Sequence, residues 1–481
     1  MLKIKKHSKL VNKLGNKLNI KKVAFVYLVY STESSGEYMV SKDPGLNVQR
    51  RPQLGLQYMC AVLEKKGIKT NIFDQSVTSF NLPKLINELK DYDLAGFYCS
   101  DSQEEIVKVY CKKIKEKLNI PLVVGGPATL LNPSFLDYGC DFVVHGEGEL
   151  TIQQIIDFLN GKLNAKKLRG ASYKRAGKII EMPQQELITH LDDLPFPDRS
   201  KVDINAYYDY FLFDMKQPYI TAIASRGCIH KCTYCTSCRL WSYRYRQRSA
   251  KNVLAEIDDA VKKYKIKYVA FQDDIFGLSE EWMEEFCTGL INRAYKIRWM
   301  AILHPFSFRN NTEKILKLMK QAGCSTLSFG LQSANPDILR NIKRHPDEPR
   351  ELKRIIKIAN KLGFVTAVTY IFGLPGDTKN SIQDTMNYSL SCGSTLANFY
   401  VLSVLRGSEL EIQYKDKIIC KMPHNEILKW TIIASRRFYT SPFTILRITK
   451  ALIKNSAWLM HIGIRLPSIL ARIGFVKNKD K

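Results

Sequence analysis

Three cysteines stand close enough in the sequence for their thiols to bind one metal centre. Cys228, Cys232 and Cys235 have C-x3-C-x2-C spacing and follow an apolar run, 219–224, that predicts a buried strand. Gly227 permits a tight turn after this strand, so a single loop can direct three thiolates to one point. Three thiolates suit an iron–sulfur cluster, and one iron of a four-iron cluster would then have no protein ligand. Such an iron can hold a small chelating molecule and pass an electron to it.

A fourth cysteine, Cys238, leaves a second interpretation open. With Cys238 as a ligand, the four thiols would form a zinc knuckle or a closed electron-transfer cluster, without an open iron. We treat Cys238 as a non-ligand because motifs further along the chain fit an enzyme. The alternative is a basic redox or nucleic-acid-binding protein whose cluster is structural.

Polar residues and glycines follow several apolar runs in the same half of the chain. Asp273 and Asp274 end one run, and two adjacent carboxylates are costly unless a cation is present. Gly373 and Gly376 flank Pro375 after another run, where glycines would let a flat ring approach the main chain. Arg246 and Arg248, after the cysteines, would either pair with an anion or brace the cysteine loop.

The elements that position these residues predict a partial parallel barrel over residues 196–405. Six strands are expected at 219–224, 267–271, 297–303, 326–330, 365–372 and 398–404, with helices between them. The chemistry of parallel barrels lies at the carboxyl ends of the strands, which is where the unusual residues fall.

The preceding residues, 22–195, alternate strand and helix in the pattern of a parallel α/β layer. Strands are expected at 23–30, 69–73, 94–99, 121–124 and 141–144. Ligands bind outside the carboxyl ends of such strands, where Gly125 and Gly126 permit close approach of the backbone. A proline-stiffened linker at 191–197 indicates a domain boundary near residue 195.

The two ends of the chain are basic. Residues 1–21 are expected to form an N-terminal arm, and residues 406–481 predict a helical region that becomes increasingly basic and aromatic. We expect the C-terminal region to cap the barrel and line the substrate pocket, and a contact with a membrane interface is a further hypothesis.

Composition narrows the class of protein. The 481 residues are enough for two or three domains, and the net charge of +27 indicates a solvated basic surface or an anionic partner. Twelve cysteines without a secretory signal indicate a reducing compartment, and no apolar run is long enough to span a bilayer. We therefore expect a cytoplasmic protein. The lack of an aromatic-basic recognition module argues against nucleic acid as its partner.

The cysteine motif resembles the signature of the radical S-adenosylmethionine (SAM) superfamily. The resemblance implies a 4Fe–4S cluster on Cys228, Cys232 and Cys235, with SAM bound to the open iron through its amino and carboxylate groups. Tyr234 stands at the family's aromatic position, whose backbone helps to hold the adenine. The other residues that the resemblance assigns to SAM are Asp273, then Asp274, for its amino group, Ser328 and Gln332 near the ribose, and Gly373, Pro375 and Gly376 at the adenine.

Two positions depart from the pattern of this family. Gln332 replaces a glutamate in the segment Gly330-Leu331-Gln332-Ser333, and Asp377 replaces a glutamate after Gly376. An amide can still hydrogen-bond a ribose hydroxyl, although without charge.

The first α/β layer resembles the cobalamin-binding domain that precedes many radical SAM barrels. The shared features are Pro-x-x-Gly-Leu from Pro52, an aspartate ending the second strand, Gly-Gly, and Gly-Glu-Gly-Glu from Gly146. The residues that the resemblance places around the cobalamin nucleotide are Asp74, Gln75, Ser100, Gly125, Gly126 and Glu147. The chain departs from the best-known cobalamin domains because residues 31–51 contain no histidine to bind cobalt from below.

The combined resemblance covers residues 22–410. It implies an N-terminal doubly wound Rossmann-like cobalamin-binding domain, a partial (β/α)6 radical SAM barrel and a small, mostly helical C-terminal region. The expected activity is cobalamin-dependent methylation of an unactivated carbon in a small-molecule or lipid-like substrate, with oxidative cyclisation or rearrangement as the alternative. An electron donor such as ferredoxin or flavodoxin is expected, and peripheral contact with the inner membrane face is a hypothesis.

Overall fold

The computed structural model describes residues 18–29, 49–209, 218–308, 311–415 and 417–453. Most of the predicted N-terminal arm and the tail after Ile453 therefore lie outside the described residues. The described chain forms two compact units, the first made of residues 18–29 and 52–206, and the second of residues 49–51 and 207–453.

The first unit is built on a seven-stranded mixed sheet. Five strands are parallel in the order β2-β1-β3-β4-β5, and an antiparallel pair, β6 and β7, extends the sheet beyond β5. The strands are β1 (Lys22–Tyr27), β2 (Lys69–Asp74), β3 (Leu94–Tyr98), β4 (Leu122–Gly125), β5 (Phe142–Val144), β6 (Ala171–Arg175) and β7 (Lys178–Glu181). The parallel order is that of a doubly wound sheet, whose ligands bind where the strand order reverses.

Helices cover both faces of this sheet. They are α1 (Leu54–Glu64), α2 (Leu82–Leu89), α3 (Glu104–Lys117) and α4 (Gly148–Leu159). Alternate residues of β1 enter two separate cores: Val23 and Phe25 pack with α1 and α4, whereas Ala24 and Val26 pack with α2 and α3. A strand buried on both faces has an almost continuous apolar sequence, which is why β1 was recognisable.

The hairpin β6–β7 was not predicted from the sequence. Ala176 and Gly177 connect the strands with φ angles of 50° and 79°, the left-handed pair that a tight hairpin requires. The segment after β7 remains packed on the first unit: Leu191 is buried, and the backbone of Asp198 donates to the carbonyl of Gln57 (3.1 Å). The compact units accordingly divide at Ala206, beyond the boundary predicted near residue 195.

The second unit contains six parallel strands in sequential order, which confirms the predicted partial barrel. They are β8 (Tyr219–Ala222), β9 (Tyr268–Phe271), β10 (Arg298–Leu303), β11 (Cys324–Gln332), β12 (Val365–Phe372) and β13 (Leu396–Val401). The helices around them are α5 (Ser237–Leu240), α6 (Ala250–Tyr264), α7 (Glu280–Asn292), α8 (Thr312–Gln321), α9 (Pro336–Asn341), α10 (Glu348–Lys361), α11 (Lys379–Cys392) and α12 (Glu409–Gln413). Short ribbons pair Ser225–Arg226 with Arg246–Gln247, and Gln49–Arg50 with Tyr208–Asp209.

Two further helices, α13 (His424–Tyr439) and α14 (Pro442–Ile453), follow the barrel. Ile427 and Ala434 of α13 pack with Phe372 of β12 and Ile382 of α11, and the Tyr439 hydroxyl donates to the carbonyl of Ala397 in β13 (2.9 Å). This helix therefore covers the last strands of the sheet. Among the described residues, no helix is both long and apolar enough to cross a bilayer.

Candidate active site

The three motif cysteines lie in one loop after the carboxyl end of β8. Cys232 is buried, and Cys228 and Cys235 are partly exposed. The loop turns twice: the amide of His230 donates to the sulfur of Cys228 (3.4 Å), and the amide of Cys235 donates to the carbonyl of Cys232 (3.1 Å). Burial, together with the nearby thiols of Cys232 and Cys235, raises the pKa of the Cys228 thiol to about 12.

This donor set fits a cluster of several irons better than a single ion. Among the described residues, no three His, Cys, Asp or Glu side chains are placed to ligate one ion. Each thiolate of a four-iron cluster binds a different iron, so the three sulfurs need only be neighbours. Thiols whose pKa is raised by burial require a bound cation to be held as thiolates.

Gly227 is essential to the shape of the cysteine loop. Its φ is 96°, and a Cβ at this position would lie 2.0 Å from the carbonyl oxygen of Arg244. The loop therefore presses against the turn formed by residues 241–244. Arg226 and Arg246 flank this turn, with their guanidinium carbons 5.8 and 5.5 Å from the ring centroid of Trp241.

Arg248 stabilises the segment that leads into the cysteine loop. It is buried, pairs with Glu256 and donates to the carbonyl of Ile223 (2.8 Å). Of the two roles considered for this arginine, these contacts support bracing.

Asp273 and Asp274 follow β9 and contact the cysteine region. The carboxylate of Asp273 is buried and accepts from the amide of Ala224 (3.0 Å) and the hydroxyl of Ser225 (2.6 Å). Asp274 accepts from the hydroxyl of Ser237 (2.7 Å). These contacts support a positioning role for Asp273, and the assignment of either carboxylate to the SAM amino group remains a prediction.

Gln332 is the most unusual residue at the carboxyl end of β11. It has φ 72°, and its Oε1 is buried without a hydrogen-bond partner among the described residues. A left-handed residue that is not glycine costs about 1–3 kcal/mol, and an unsatisfied buried acceptor adds to that cost. Strain and an unsatisfied acceptor at one strand end are typical of ligand-binding positions, and contact of the amide with the SAM ribose remains a prediction.

One face of β11 leads towards Gln332. Ser328 and Gly330 alternate with the buried Leu327 and Phe329, and they are partly exposed. The predicted contact of Ser328 with SAM is consistent with this face and remains a prediction.

Arg344 connects the cysteine loop to the end of β11 and was not predicted from the sequence. Its Nη1 lies 3.9 Å from the sulfur of Cys232 and 3.4 Å from the hydroxyl of Tyr234, and its Nη2 donates to the carbonyl of Gly330 (2.6 Å). Glu348, in the first turn of α10, accepts from Nε (2.8 Å) and balances the buried guanidinium. The Arg-x-x-x-Glu spacing across a helix start was the only available signal, and it is common at helix termini.

Two histidines pack beside this ion pair. The rings of His230 and His304 stack with centroids 3.8 Å apart, and Nε2 of His304 lies 3.4 Å from Oε1 of Glu348. Burial lowers the pKa of both rings, that of His230 to about 4. The side chain of Tyr234 packs against Ile338 and Leu374, which leaves only its backbone for the predicted adenine contact.

The glycines of the turn after β12 have left-handed φ angles, 88° at Gly373 and 86° at Gly376, and lie close to protein side chains. A Cβ on Gly376 would lie 2.7 Å from the Asn341 amide nitrogen, which donates to the carbonyl of Pro375 (2.9 Å). A Cβ on Gly373 would lie 3.0 Å from the side chain of Ile427. Asp377 ties the turn by accepting from the amide of Gly373 (2.9 Å). Contact of this turn with adenine remains a prediction.

The predicted cobalamin residues all lie at the carboxyl edge of the first sheet, but several side chains are used within the unit. Asp74 accepts from the amide of Ser76 (2.8 Å), Gln75 accepts from Val29 and donates to Phe80, and Glu147 accepts from the amide of Ile188 (2.8 Å).

Ser100 caps the turn that begins α3 by donating to Gln103 (2.7 Å), and Gly125 ends β4. Gly126 has φ 119° and would place a Cβ 2.5 Å from the carbonyl of Cys99, so packing alone requires glycine there. The edge itself, with the ends of β1 and β3 adjacent, fits a nucleotide-containing ligand.

Cys238 lies in α5, and its side chain is outside the described residues. Its exclusion as a ligand therefore remains a prediction.

Comparison with known proteins agrees with this arrangement. The model of the radical SAM superfamily matches residues 222–389, and that of the B12-binding domain matches residues 49–156. The uncharacterized methyltransferase PH0819 of Pyrococcus horikoshii is 30% identical over 371 residues, which cover 75% of this chain and 77% of that protein. The anaerobic magnesium-protoporphyrin IX monomethyl ester cyclase of Rubrivivax gelatinosus is 25% identical over 76% of this chain and 67% of the cyclase.

A solved structure shares the fold of both units. The radical SAM methyltransferase TsrM from Kitasatospora setae, with cobalamin and a [4Fe–4S] cluster bound, superposes with a TM-score of 0.66 at 16% identity. The superposition covers 82% of this chain and 74% of TsrM.

A cluster and SAM bound in such a protein supply one-electron chemistry, and cobalamin supplies methyl-group chemistry. The parts of this chain that would hold and orient these groups are the cysteine loop, the end of β11 and the carboxyl edge of the first sheet. The chain belongs to the cobalamin-binding radical SAM enzymes, in their methyltransferase-like group, whose cofactors are a 4Fe–4S cluster, SAM and cobalamin.

Proposed function

We propose that this enzyme methylates an unactivated carbon of a small-molecule or lipid-like substrate. The observation that carries the proposal is the pairing of the three-cysteine loop with a strained Gln332, whose buried amide oxygen has no partner among the described residues. Arg344 contacts the loop and the strand that ends in Gln332, so both are held in one arrangement. The similarity to PH0819, a protein named as a methyltransferase, supports methyl transfer.

Cyclisation is the second candidate, because the similarity to the Rubrivivax gelatinosus cyclase is also extensive. Anaerobically reconstituted enzyme should be incubated with a small-molecule extract and SAM that carries a deuterated methyl group. Methylation predicts deuterium in a new product together with 5′-deoxyadenosine. A new product without deuterium would favour cyclisation or rearrangement.

The role of Cys238 separates the enzyme from a redox or nucleic-acid-binding protein. We expect Cys238→Ala to retain the iron content and visible absorption of the wild type, and to cleave SAM on reduction. Cys232→Ala is the matched control and should lose the cluster. If Cys238→Ala lost the cluster as completely, the closed-cluster interpretation would be favoured.

An anionic membrane surface is proposed as a peripheral contact of α13 and α14. Phe443, Leu446 and Ile453 are exposed by 73%, 58% and 77%, and Arg437 and Lys450 are exposed on the same two helices. Apolar residues beside cations suit the boundary of an anionic bilayer. Vesicles containing phosphatidylserine should sediment the wild-type protein and should sediment a Phe443→Glu, Leu446→Glu variant less. Equal sedimentation of the two proteins would refute the contact.

A cytoplasmic location stays a prediction. An external electron donor is proposed as the second partner, because one-electron chemistry at the cluster consumes an electron in each reductive cleavage.

A further inference from the structure

The loop that carries the cysteines has an outer face that the chemistry described above does not use. This outer face consists of Ile229, Lys231, Tyr243 and Arg244, all exposed; Ile229 is 57% and Tyr243 48% exposed. Lys231 and Tyr243 are adjacent, with Nζ 5.9 Å from the ring centroid. Because Gly227 allows the cysteine loop to touch the carbonyl of Arg244, the outer face lies directly beside Cys228.

The charged side chains of the segment that contains the cysteine loop and the outer face are all positive. Residues 225–249 contain six lysines and arginines and no aspartate or glutamate. Arg226, Arg246 and Arg248 are buried and support the loop, whereas Lys231 and Arg244 are exposed. Among the described residues, neither of these two cations forms an ion pair, so their charge is not balanced locally.

The backbone of the turn is also strained in a way that presents Tyr243. Ser242 and Tyr243 have consecutive left-handed φ angles of 48° and 57°, and the amide of Arg244 donates to the carbonyl of Trp241 (2.9 Å). Consecutive left-handed residues other than glycine are unfavourable, and such strain persists only where surrounding contacts impose it. The stacked guanidinium groups of Arg226 and Arg246 on Trp241 provide those contacts.

We infer that the outer face is the docking surface for a small acidic electron-carrier protein. The inference rests on the proposed function, because only a redox-active cluster requires a donor. Two uncompensated cations beside an exposed aromatic and an exposed aliphatic side chain match the small, weak interfaces of electron-transfer partners. In the encounter, the reduced flavin or iron–sulfur centre of the carrier loses one electron and the cluster gains it.

The test compares two reductants on the same holoenzyme. Reduction of the cluster is followed by loss of visible absorption in stopped flow, first with flavodoxin in its hydroquinone form and then with dithionite, which needs no docking surface. For the variant Lys231→Glu, Arg244→Glu, we expect the flavodoxin rate to fall about tenfold or more and the rate with dithionite, a small anion, to fall much less. Lys353→Glu, Lys357→Glu on α10, with the same change of charge, should reduce at the wild-type rate with both reductants.

The wild-type protein gives an independent test that does not depend on the stability of a variant. Raising the ionic strength from about 0.01 M to about 1 M shortens the Debye length from about 30 Å to about 3 Å. The flavodoxin rate should fall steeply over this range. A rate that is insensitive to salt, or an equal loss in the α10 control, would overturn the docking surface. If dithionite reduces the cluster but SAM stays intact, the proposed function fails while the docking result still stands.

Discussion

At the residue scale, Gln332 combines two costs that a folded chain normally avoids. The left-handed backbone and the buried, unpartnered amide oxygen are both explained if a ligand hydroxyl occupies the position facing this side chain. The sequence identified Gln332 only by resemblance, because neither a φ angle nor an unsatisfied acceptor is visible in a string of residues.

Replacing Gln332 should separate stability from SAM binding. Gln332→Gly removes the backbone strain and should not lower the melting temperature, whereas Gln332→Ala keeps the strain. Both variants should bind SAM about 3- to 10-fold more weakly, which corresponds to one hydrogen bond of about 0.5–1.5 kcal/mol. The measurement is the SAM concentration that perturbs the electron paramagnetic resonance spectrum of the reduced cluster. Wild-type affinity in both variants would exclude the contact.

Asp273 should make the stability of the barrel depend on pH. Burial raises the pKa of its carboxyl from 3.8 to about 7, so the folded state favours the neutral form. The stabilising contribution is complete below pH 4 and is lost as the pH rises towards 7, by at most about 1.4 kcal/mol per pH unit.

The comparison is with Asp273→Asn, which has no proton to lose. Urea unfolding of the cluster-free proteins at several pH values should show the wild type losing stability relative to the variant between pH 4 and 7. A constant difference across this range would show that the carboxylate is not perturbed by burial.

At the scale of elements, α10 is connected to the cysteine loop through a buried ion pair. Glu348 in its first turn holds Arg344, which reaches the sulfur of Cys232 and the carbonyl of Gly330. The six strands around this pair were predictable because their apolar runs are long and regularly spaced. Arg344 was not, because its role depends on contacts with Cys232 and Gly330, which are 112 and 14 residues away in the sequence.

Removing one partner of the Arg344–Glu348 ion pair should lower the free energy of unfolding more than replacing both partners. Glu348→Gln leaves the buried guanidinium without its carboxylate, and we expect a loss of about 3–5 kcal/mol in the free energy of unfolding. The double variant Arg344→Met, Glu348→Leu should lose less stability than Glu348→Gln, although it should retain less iron after reconstitution. Thermal unfolding and iron analysis of the same preparations test both statements. If the double variant bound iron as fully as the wild type, Arg344 would have no part in holding the loop.

At the scale of the whole molecule, the two cofactor regions belong to different compact units. The doubly wound fold, the barrel and their order could be predicted from strand spacing and motifs. The hairpin β6–β7 and the packing of residues 191–206 on the first unit could not, since a short turn and a proline-rich segment have many conformations until a core selects one. The glycines at 126, 373 and 376 were recognised from the sequence, and each has a left-handed φ and lies against protein atoms. Their contact with a ligand stays a prediction.

Because the two cofactor regions lie in different compact units, we expect cobalamin to bind even when the iron–sulfur cluster is lost. Cys232→Ser should abolish the absorption and iron content of the cluster, while cobalamin remains bound at the wild-type stoichiometry. Both are measured in one anaerobic spectrum and by metal analysis for iron and cobalt. Loss of cobalt along with iron would show that the first unit does not bind the corrinoid on its own.

The partial exposure of Cys228 and Cys235 has a consequence for where this enzyme can operate. A metal centre that small molecules can reach is equally open to dioxygen, and reduced iron–sulfur centres react with it. Air should therefore bleach the purified protein and release its iron, and the reaction belongs to anoxic conditions.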